Sequence, residues 1–415
     1  MAAIVKDRQY YKFCLYGFIK NLKFFDPYLI LFFREAGITF LQIGVLLSIR
    51  EIVTNLMEIP SGMIADVVGR RRAMVFSFMS YIASFLIFFL FPTYGAYIGG
   101  MVLFGFGEAF RTGTHKAMIL EYLRLKGIPE MKVHYYGHTR SWSQAGASLS
   151  AVLAAILVFY SGSYRNVFLF SVIPYALDLI LMLTYPRELD GETGEGRLSP
   201  GRAAKRFAAV FRDFIHTLAN PTFRRAMLTS SLYDGFFESV KDYLQPLLKQ
   251  MALGLPVFVM LQDRQRVSIV IGLVYALLYV LTSVAARGSG AFSERFPRIS
   301  GTLNVTYLMG GGIMAVAGLM ILLKWTAAAV ILLVLFYVMK NIRRPLALGF
   351  LSERIQNGIM ATGLSGESQA KTLSTAILAP LMGFMVDQWG IGFGLAILSA
   401  LAALLYPLVR VRSEK

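Results

Sequence analysis

Cysteine occurs once in this 415-residue chain, at Cys14, and histidine four times. A single cysteine excludes an intramolecular disulfide, so no compartment can be read from cysteine pairing. So few thiols and imidazoles also argue against a dedicated soft-metal site, and no metal ligands are expected. The Gly-rich phosphate loop with its lysine, the His-Glu-x-x-His pair and the nucleophile elbow are all missing. Their absence leaves no motif for ATP hydrolysis, metalloprotease or acyl-transfer chemistry, so neither an enzyme nor a cofactor is expected. Charge is scarce as well: Asp, Glu, Lys and Arg make up 16%, against about 25% in an average soluble domain. The N-terminus has basic residues but no small-residue cleavage site, so the first hydrophobic span reads as retained.

What the chain has is apolar length. Hydrophobic residues account for 56% and mean hydropathy is +0.59. Apolar windows of about 20 residues, enough to cross a bilayer, recur from end to end. The pattern predicts an all-α polytopic membrane protein with twelve spans, at 13–33, 39–59, 73–91, 96–120, 138–160, 166–185, 226–248, 267–286, 302–323, 326–350, 363–386 and 392–409. An even number returns both termini to one side. The tails and even-to-odd turns hold most of the Lys and Arg. The opposite turns hold mainly Arg34, Arg165, Lys249, Arg264, Arg266 and Lys324. The positive-inside rule then puts both termini in the cytoplasm. The net charge of +17 is therefore a topology signal with attraction to anionic lipid, and it does not point to nucleic acid. Asn304-Val305-Thr306 matches a glycosylation sequon, but it lies inside a span, where no sugar is expected.

Residues 186–225 interrupt the pattern. "PRELDGETGEGRLSPGR" is polar and Gly-rich and reads as a linker. Beyond it, Phe207, Val210, Phe211, Phe214, Ile215 and Leu218 form one helical stripe, which predicts an amphipathic helix on the cytoplasmic surface. Six spans precede this segment (1–185) and six follow it (226–415). The halves read as distant copies. "LFGFGEAFRTGTHKAMILEYL" from Leu103 aligns without gaps with "LFYVMKNIRRPLALGFLSERI" from Leu335, pairing Arg111 with Arg343 and Glu121 with Glu353. "SQA" at Ser143 recurs at Ser368, and Lys20 and Lys23 fall opposite Glu238 and Lys241. Several matches in consistent order favour an internal repeat, a frequent feature of secondary transporters.

Between the second and third spans stands "GMIADVVGRR", Gly62 to Arg71. "GAFSERFPR" after the eighth span repeats it in worn form, with Gly290, Glu294 and Arg298 in place of Gly62, Asp66 and Arg70. This stretch resembles the signature turn of the major facilitator superfamily, and with the twelve spans the resemblance covers essentially the whole chain at fold level. It implies a gating role for Gly62, Asp66, Gly69, Arg70 and Arg71, echoed by Glu294 and Arg298. Asp66 is expected to accept from helix N-terminal amides or to pair with an arginine of the other half, as a two-state latch. The glycines are expected to allow close helix approach and a tight turn.

The resemblance also implies that spans 1, 4, 7 and 10 line a central cavity while 3, 6, 9 and 12 are peripheral. The charges follow that division. Span 1 carries Lys20, Lys23 and Asp26; span 4 carries Glu108, Arg111 and Lys116, with His115. Span 7 carries Asp234, Glu238, Lys241 and Asp242, and span 10 carries Lys340, Arg343 and Arg344. Span 2 adds Arg50, Glu51 and Glu58, span 11 adds Glu367 and Lys371, and span 6 holds Asp178 alone. A mid-bilayer charge facing lipid costs about 2.5–3.5 kcal/mol even on the lenient scale, so these groups must face protein or water. Their basic excess predicts a small anionic or zwitterionic solute held by Lys20, Arg111, Lys241, Lys340 and Arg343. Proton coupling is assigned to Asp26, Glu238, Glu108 and Asp234, since a desolvated carboxylate holds its proton more tightly. The expected protein is a monomeric, proton-coupled secondary transporter working by alternating access, with solute, protons and lipid as partners. The short extramembrane segments favour a bacterial inner membrane. The alternative on the same fold is a drug/proton antiporter. Against it, the fifth span has Gly146 but lacks the proline of the family's antiporter motif, although Pro380 and Gly383 in the eleventh preserve part of such a signal.

Overall fold

The computed structural model describes residues 6–128, 131–190, 212, 221–296, 298–352 and 360–411. The amphipathic stripe expected at 207–218, and Glu353, lie outside the described residues. Helices joined by short turns make up the described residues, in the order α1 (Arg8–Lys20), α2 (Leu29–Glu35), α3 (Phe40–Val68), α4 (Arg70–Leu90), α5 (Tyr94–Leu125), α6 (Lys132–Ser161) and α7 (Asn166–Leu183). There follow α8 (Pro221–Val240), α9 (Leu244–Gly254), α10 (Asp263–Arg287), α11 (Ser289–Ser293), α12 (Ile299–Leu322), α13 (Thr326–Ser352) and α14 (Met360–Val409). Among them α3, α4, α6, α7, α10, α12, α13 and α14 contain segments long and apolar enough to cross a membrane. The protein is a multi-pass integral membrane protein. Leucines such as Leu56, Leu273 and Leu404 stand exposed on these helices, as a lipid-facing surface requires.

Three departures from the simple span pattern matter. The first and seventh predicted spans are broken helices. A 3₁₀ turn at Asp26–Tyr28 separates α1 from α2, and another at Lys241–Tyr243 separates α8 from α9. Both breaks fall where charges cluster, Lys20 to Asp26 and Glu238 to Asp242. The eleventh and twelfth predicted spans run together as α14, divided at Gly390, whose φ of 84° is open to glycine and strained for other residues. The signature stretch is also more helical than a turn. Pro60 gives up a bond to the Leu56 carbonyl, yet α3 continues through Gly62 and Asp66 to Val68. Ser61 steadies it by donating to the Glu58 and Ala109 carbonyls, both at 3.0 Å. Gly69 alone makes the turn, at φ 105°.

Two compact units emerge: Met1–Phe32, Ile49–Ser199 and Val259–Ala276 in the first; Phe33–Ser48, Pro200–Phe258 and Leu277–Lys415 in the second. Small residues set the packing in each, as expected where lipid supplies no hydrophobic drive for helix association. In the first unit, Gly100 and Gly107 of α5 lie against Phe88 and Tyr81 of α4, with Ser84 and Ser77 donating to their carbonyls. Gly272 of α10 meets Ala155 of α6. In the second unit, Gly44 of α3 lies against Ala379 and Pro380 of α14. Asp387 accepts from the amides of Phe40 and Leu41 at 3.0 and 2.8 Å, satisfying donors at the start of α3.

Candidate functional site

The break after α1 builds the site of the first unit. Asp7 opens that helix, accepting from the Tyr10 amide at 2.9 Å, and Lys20 ends it. A cation in a last helical turn suits the negative end of the helix dipole. Asn21 caps the helix and its side chain donates to the Gly17 carbonyl at 2.7 Å. Two glycines then bring α6 close. A Cβ at Gly146 would run into the Phe18 carbonyl, and one at Gly17 would come within 2.8 Å of the Ser143 hydroxyl. This approach lays Arg140, Ser143 and Gln144 of α6 over Lys20 and Asn21.

From α5, Arg111 faces the same space. Its Nη2 pairs with Glu108 Oε2 at 2.5 Å and its Nε donates to the Tyr81 hydroxyl at 3.1 Å. The result is a cavity of about 270 Å³ bounded by Tyr16, Lys20, Asn21, Arg111, Arg140 and Gln144, with no carboxylate in its lining among the described residues. Lys20 makes no ion pair there among the described residues. His115, one turn beyond Arg111, is buried. Its ring stacks on Tyr16 at 3.7 Å and its Nε2 lies 3.5 Å from the Tyr185 hydroxyl. Lys116 is exposed.

The second unit arranges its charges differently. Arg344 donates to Asp234 and to Glu367, both at 2.7 Å, and Ser230 adds a bond to Glu367 at 2.8 Å. Glu238 pairs with Lys241 at 2.8 Å and with Lys371 at 3.4 Å. Lys340 lies over the Phe237 ring, 4.9 Å from its centre. Arg343 is 2% exposed. It donates to the Leu303 carbonyl, to the Thr306 hydroxyl at 2.6 Å, and to the Thr229 carbonyl and hydroxyl at 3.0 and 2.9 Å. Its guanidinium also rests on Tyr233, 4.6 Å from the ring centre.

At the signature stretch, Arg70 lies 3.5 Å from Asp66 and 3.9 Å from Glu121. The Arg71 amide donates to Asp190 at 2.6 Å, and its guanidinium donates to the Tyr185 carbonyl. Asp66 is half exposed and its partner here is an arginine of its own turn. The amide-accepting role expected of Asp66 at this helix start is filled by Asp190, which the sequence reading passed over as linker. Gly62 has open space where a Cβ would sit, so close helix approach does not account for it. In the worn copy, Glu294 caps the short α11 and Arg298 precedes α12. Asp26 begins its 3₁₀ turn with Pro27 behind it.

The sequence reading thus placed Lys20, Arg111 and Glu108 together, and Asp234 and Glu238 beside cations. It did not single out Arg140, Asn21, Gln144 or Asp190. Arg140 sits one turn before Ser143 of the repeated "SQA", a signal that was available. Asp190 offered none, because its partner lies far away in sequence.

Comparison with known proteins bears on the whole chain. The Major Facilitator Superfamily model matches residues 13–366. No curated protein matches. Among solved structures, a POT family transporter in complex with a thioalcohol conjugated peptide superposes with a TM-score of 0.72 at 14% identity, covering 97% of this chain and 95% of that one. The nucleoside transporter NupG gives 0.73 at 12%, covering 98% and 97%, and a peptide transporter POT in complex with sulfate gives 0.67 at 14%, covering 99% and 96%. Identities this low speak for the fold, and the family model speaks for kinship: the chain belongs to the major facilitator superfamily of membrane transporters.

Proposed function

We propose that the protein is a proton-coupled secondary transporter of a small anionic or zwitterionic solute, and that Lys20 and Arg111 hold the solute's negative group. The observation that carries this is the cavity of about 270 Å³ bordered by Lys20, Arg111 and Arg140, with no carboxylate in its lining among the described residues. Arginine offers a planar fork to a carboxylate or phosphate, and lysine a point charge. Glu108 orients the Arg111 fork from behind and balances one charge, which leaves a cationic surplus for the ligand. A drug antiporter handling apolar cations has less support from such a lining.

The same proposal takes the chain as twelve passes in two six-helix repeats joined by 186–225, acting as a monomer by alternating access. Eight helices qualify on length and hydropathy alone. The division of α14 at Gly390 supports one more crossing. The remaining three are α1–α2 and α8–α9, each divided by its 3₁₀ turn into shorter helices, and α5, which carries Glu108, Arg111 and Lys116 along its length. Both termini then face the cytoplasm of a bacterial inner membrane, as does the Gly62 to Arg71 stretch, whose Asp66, Arg70 and Arg71 serve as gate residues with Glu294 and Arg298. In the second unit, Lys241 and Lys340 are the candidate solute contacts, and Lys340 is the more available, since Lys241 pairs with Glu238 at 2.8 Å. Arg343, also predicted from the sequence, is assigned a structural role instead, because its donors are directed at Leu303, Thr306 and Thr229.

The test is a thermal-shift screen of purified protein with inorganic phosphate, sulfate, small carboxylates, dipeptides and nucleosides. A ligand at 100 times its Kd stabilises by about 2.7 kcal/mol. Anionic or zwitterionic solutes are expected to raise the melting temperature of the wild type and to do so less in Lys20→Gln. Stabilisation by neutral solutes alone, or an equal response in the variant, overturns the assignment.

A further inference from the structure

Three carboxylates are buried among the described residues: Asp178, Asp234 and Glu367. Asp234 and Glu367 share Arg344. Asp178 is different. It lies in the middle of α7, 0% exposed, and neither carboxylate oxygen has a hydrogen-bond partner. An ionised carboxylate left without hydrogen bonds in an apolar interior is among the costliest groups a protein can hold, and the usual escape is to take up a proton. Pro174, Tyr175 and Met182 share its buried face of α7; the Tyr175 hydroxyl is likewise without a partner.

We propose that Asp178 is a proton-binding site, and that its occupancy is set by Lys20 and Arg111 at the edge of the basic cavity. Geometry links the two: Arg111 donates to the Tyr81 hydroxyl at 3.1 Å, and the Tyr81 ring lies 5.0 Å from that of Tyr175, which shares the buried face of α7 with Asp178. Lys20 and Arg111 both line the cavity, and both favour the charged form of Asp178 against its burial. The other titratable groups facing it are the phenols of Tyr16 on α1, Tyr175 on α7 itself and Tyr185 beyond α7. Packed α4 presents Tyr81 to the Tyr175 ring at 5.0 Å, and α6 carries no charged residue between Arg140 and its end at Ser161. Glu108 of α5 belongs to the same cluster: paired with Arg111 at 2.5 Å, it offsets part of that cation's field, so the tuning of the site by charge rests chiefly on Lys20.

The coupling has a definite sign. With the cavity empty, the field of Lys20 and Arg111 favours the carboxylate anion and loosens the hold of Asp178 on its proton. An anion bound in the cavity offsets that field, and the proton is held to higher pH. Anion and proton then bind cooperatively, each raising the other's affinity by the same factor. That arrangement suits symport of the two. Only this last link rests on reading the cavity as an anion site. Asp26, Glu108, Asp234 and Glu238 contrast with it, since the last three sit in ion pairs at 2.5–2.8 Å and Asp26 is engaged by neighbours.

Infrared difference spectroscopy of the full-length protein in lipid vesicles tests the site without any ligand. At neutral pH the wild type is expected to show a protonated-carboxyl C=O band that Asp178→Asn loses. The band is expected to titrate away as pH rises, and in Lys20→Gln to persist to higher pH, because a cation that favoured the anion is gone. Where Asp178→Asn fails to assemble, Asp178→Glu keeps the acid and is expected to shift the band's frequency. A wild type without the band, or a band unchanged by substitution at 178, overturns the proton site. A titration unmoved in Lys20→Gln overturns its control by the cavity. Failure of the anion screen with the band intact would remove only the anion assignment, so the two outcomes are separable.

Discussion

Arg111 pairs with a carboxylate and a phenol beside a cavity, whereas Arg343, which the sequence pattern aligns with it, directs its donors at the Leu303 and Thr229 carbonyls and two threonine hydroxyls inside packed protein. The contrast extends to their surroundings. Around Arg111, Lys20 and Arg140 add positive charge that no lining carboxylate answers. Around Arg343, the carboxylates Asp234, Glu238 and Glu367 each have a cation within 2.8 Å. Charges that the sequence reading aligned thus build an unbalanced electrostatic site in the first unit and a balanced network in the second. The difference teaches that charges matched by sequence pattern need not share a task. A charge gains a ligand role when its local partners leave something over.

The strongest way to break the comparison is at Arg344. It is the shared partner of two buried carboxylates, so Arg344→Gln leaves both without their cation. Removing one partner of a buried ion pair costs about 3–5 kcal/mol. We expect a large fall in the melting temperature of purified protein, with recovery when Asp234→Asn and Glu367→Gln are added. A wild-type melting temperature in Arg344→Gln would mean that the second unit is not held by charge balance.

Arg343→Met comes next. Hydrogen bonds to a charged group contribute about 1.5–3 kcal/mol each, and the acceptors left behind are buried. The expected cost is on the order of 3 kcal/mol, read as thermal stability, with no loss of anion affinity in the fraction that folds. Lost affinity at unchanged stability would return Arg343 to the set of solute contacts and restore the symmetry of the two arginines.

Arg111→Gln sharpens the comparison from the other side. It removes the fork from the cavity and strands Glu108, so binding and stability both fall. The double variant Glu108→Gln with Arg111→Gln is expected to regain stability, by a coupling of about 0.5–3 kcal/mol, while anion binding by calorimetry stays at least about tenfold weak, about 1.4 kcal/mol. Restored binding in the double variant would show that Arg111 only neutralises Glu108.

Much of this contrast was legible before any coordinates. Hydropathy gave the membrane class and the helices, because a spanning segment must be long and apolar. Charges on the predicted first, fourth, seventh and tenth spans marked the two clusters, because a bilayer excludes unpartnered charge. What sequence could not separate was an arginine enclosed by packed acceptors from one beside a cavity, since the threonines that hold Arg343 are distributed over α8 and α12 and look like ordinary helix residues. Asp178 was visible as the lone charge of its span, but its lack of partners is a property of three dimensions. Asp190 was hidden for the same reason: its contact with Arg71 spans 119 positions.

The smallest expected effect concerns two helix starts, one in each unit. In the first unit, α1 starts on a side-chain cap, Asp7, which also pairs with Lys126 at 3.1 Å. In the second, α8 starts on Pro221, whose missing N–H is one of the donors a helix start leaves unpaired anyway and whose φ is already helical. Burial works against charge on Asp7, but the bond from the Tyr10 amide and the Lys126 ammonium outweigh it and hold the carboxyl below its ordinary value. A carboxyl depressed in the folded state contributes stability that is complete above its unfolded value and lost as pH falls through the folded one. Acid is therefore expected to loosen the start of α1 and leave the start of α8 unaffected. The cap is worth about 1 kcal/mol, and the Lys126 pair, being largely exposed, adds little. Amide hydrogen exchange at Tyr10 and at residues near Pro221, followed across the acid range, reads both helix starts in one sample. Asp7→Asn, which still caps, should keep most of the protection at Tyr10 and lose its pH dependence. Equal acid sensitivity at the two starts would mean that the cap does not distinguish them.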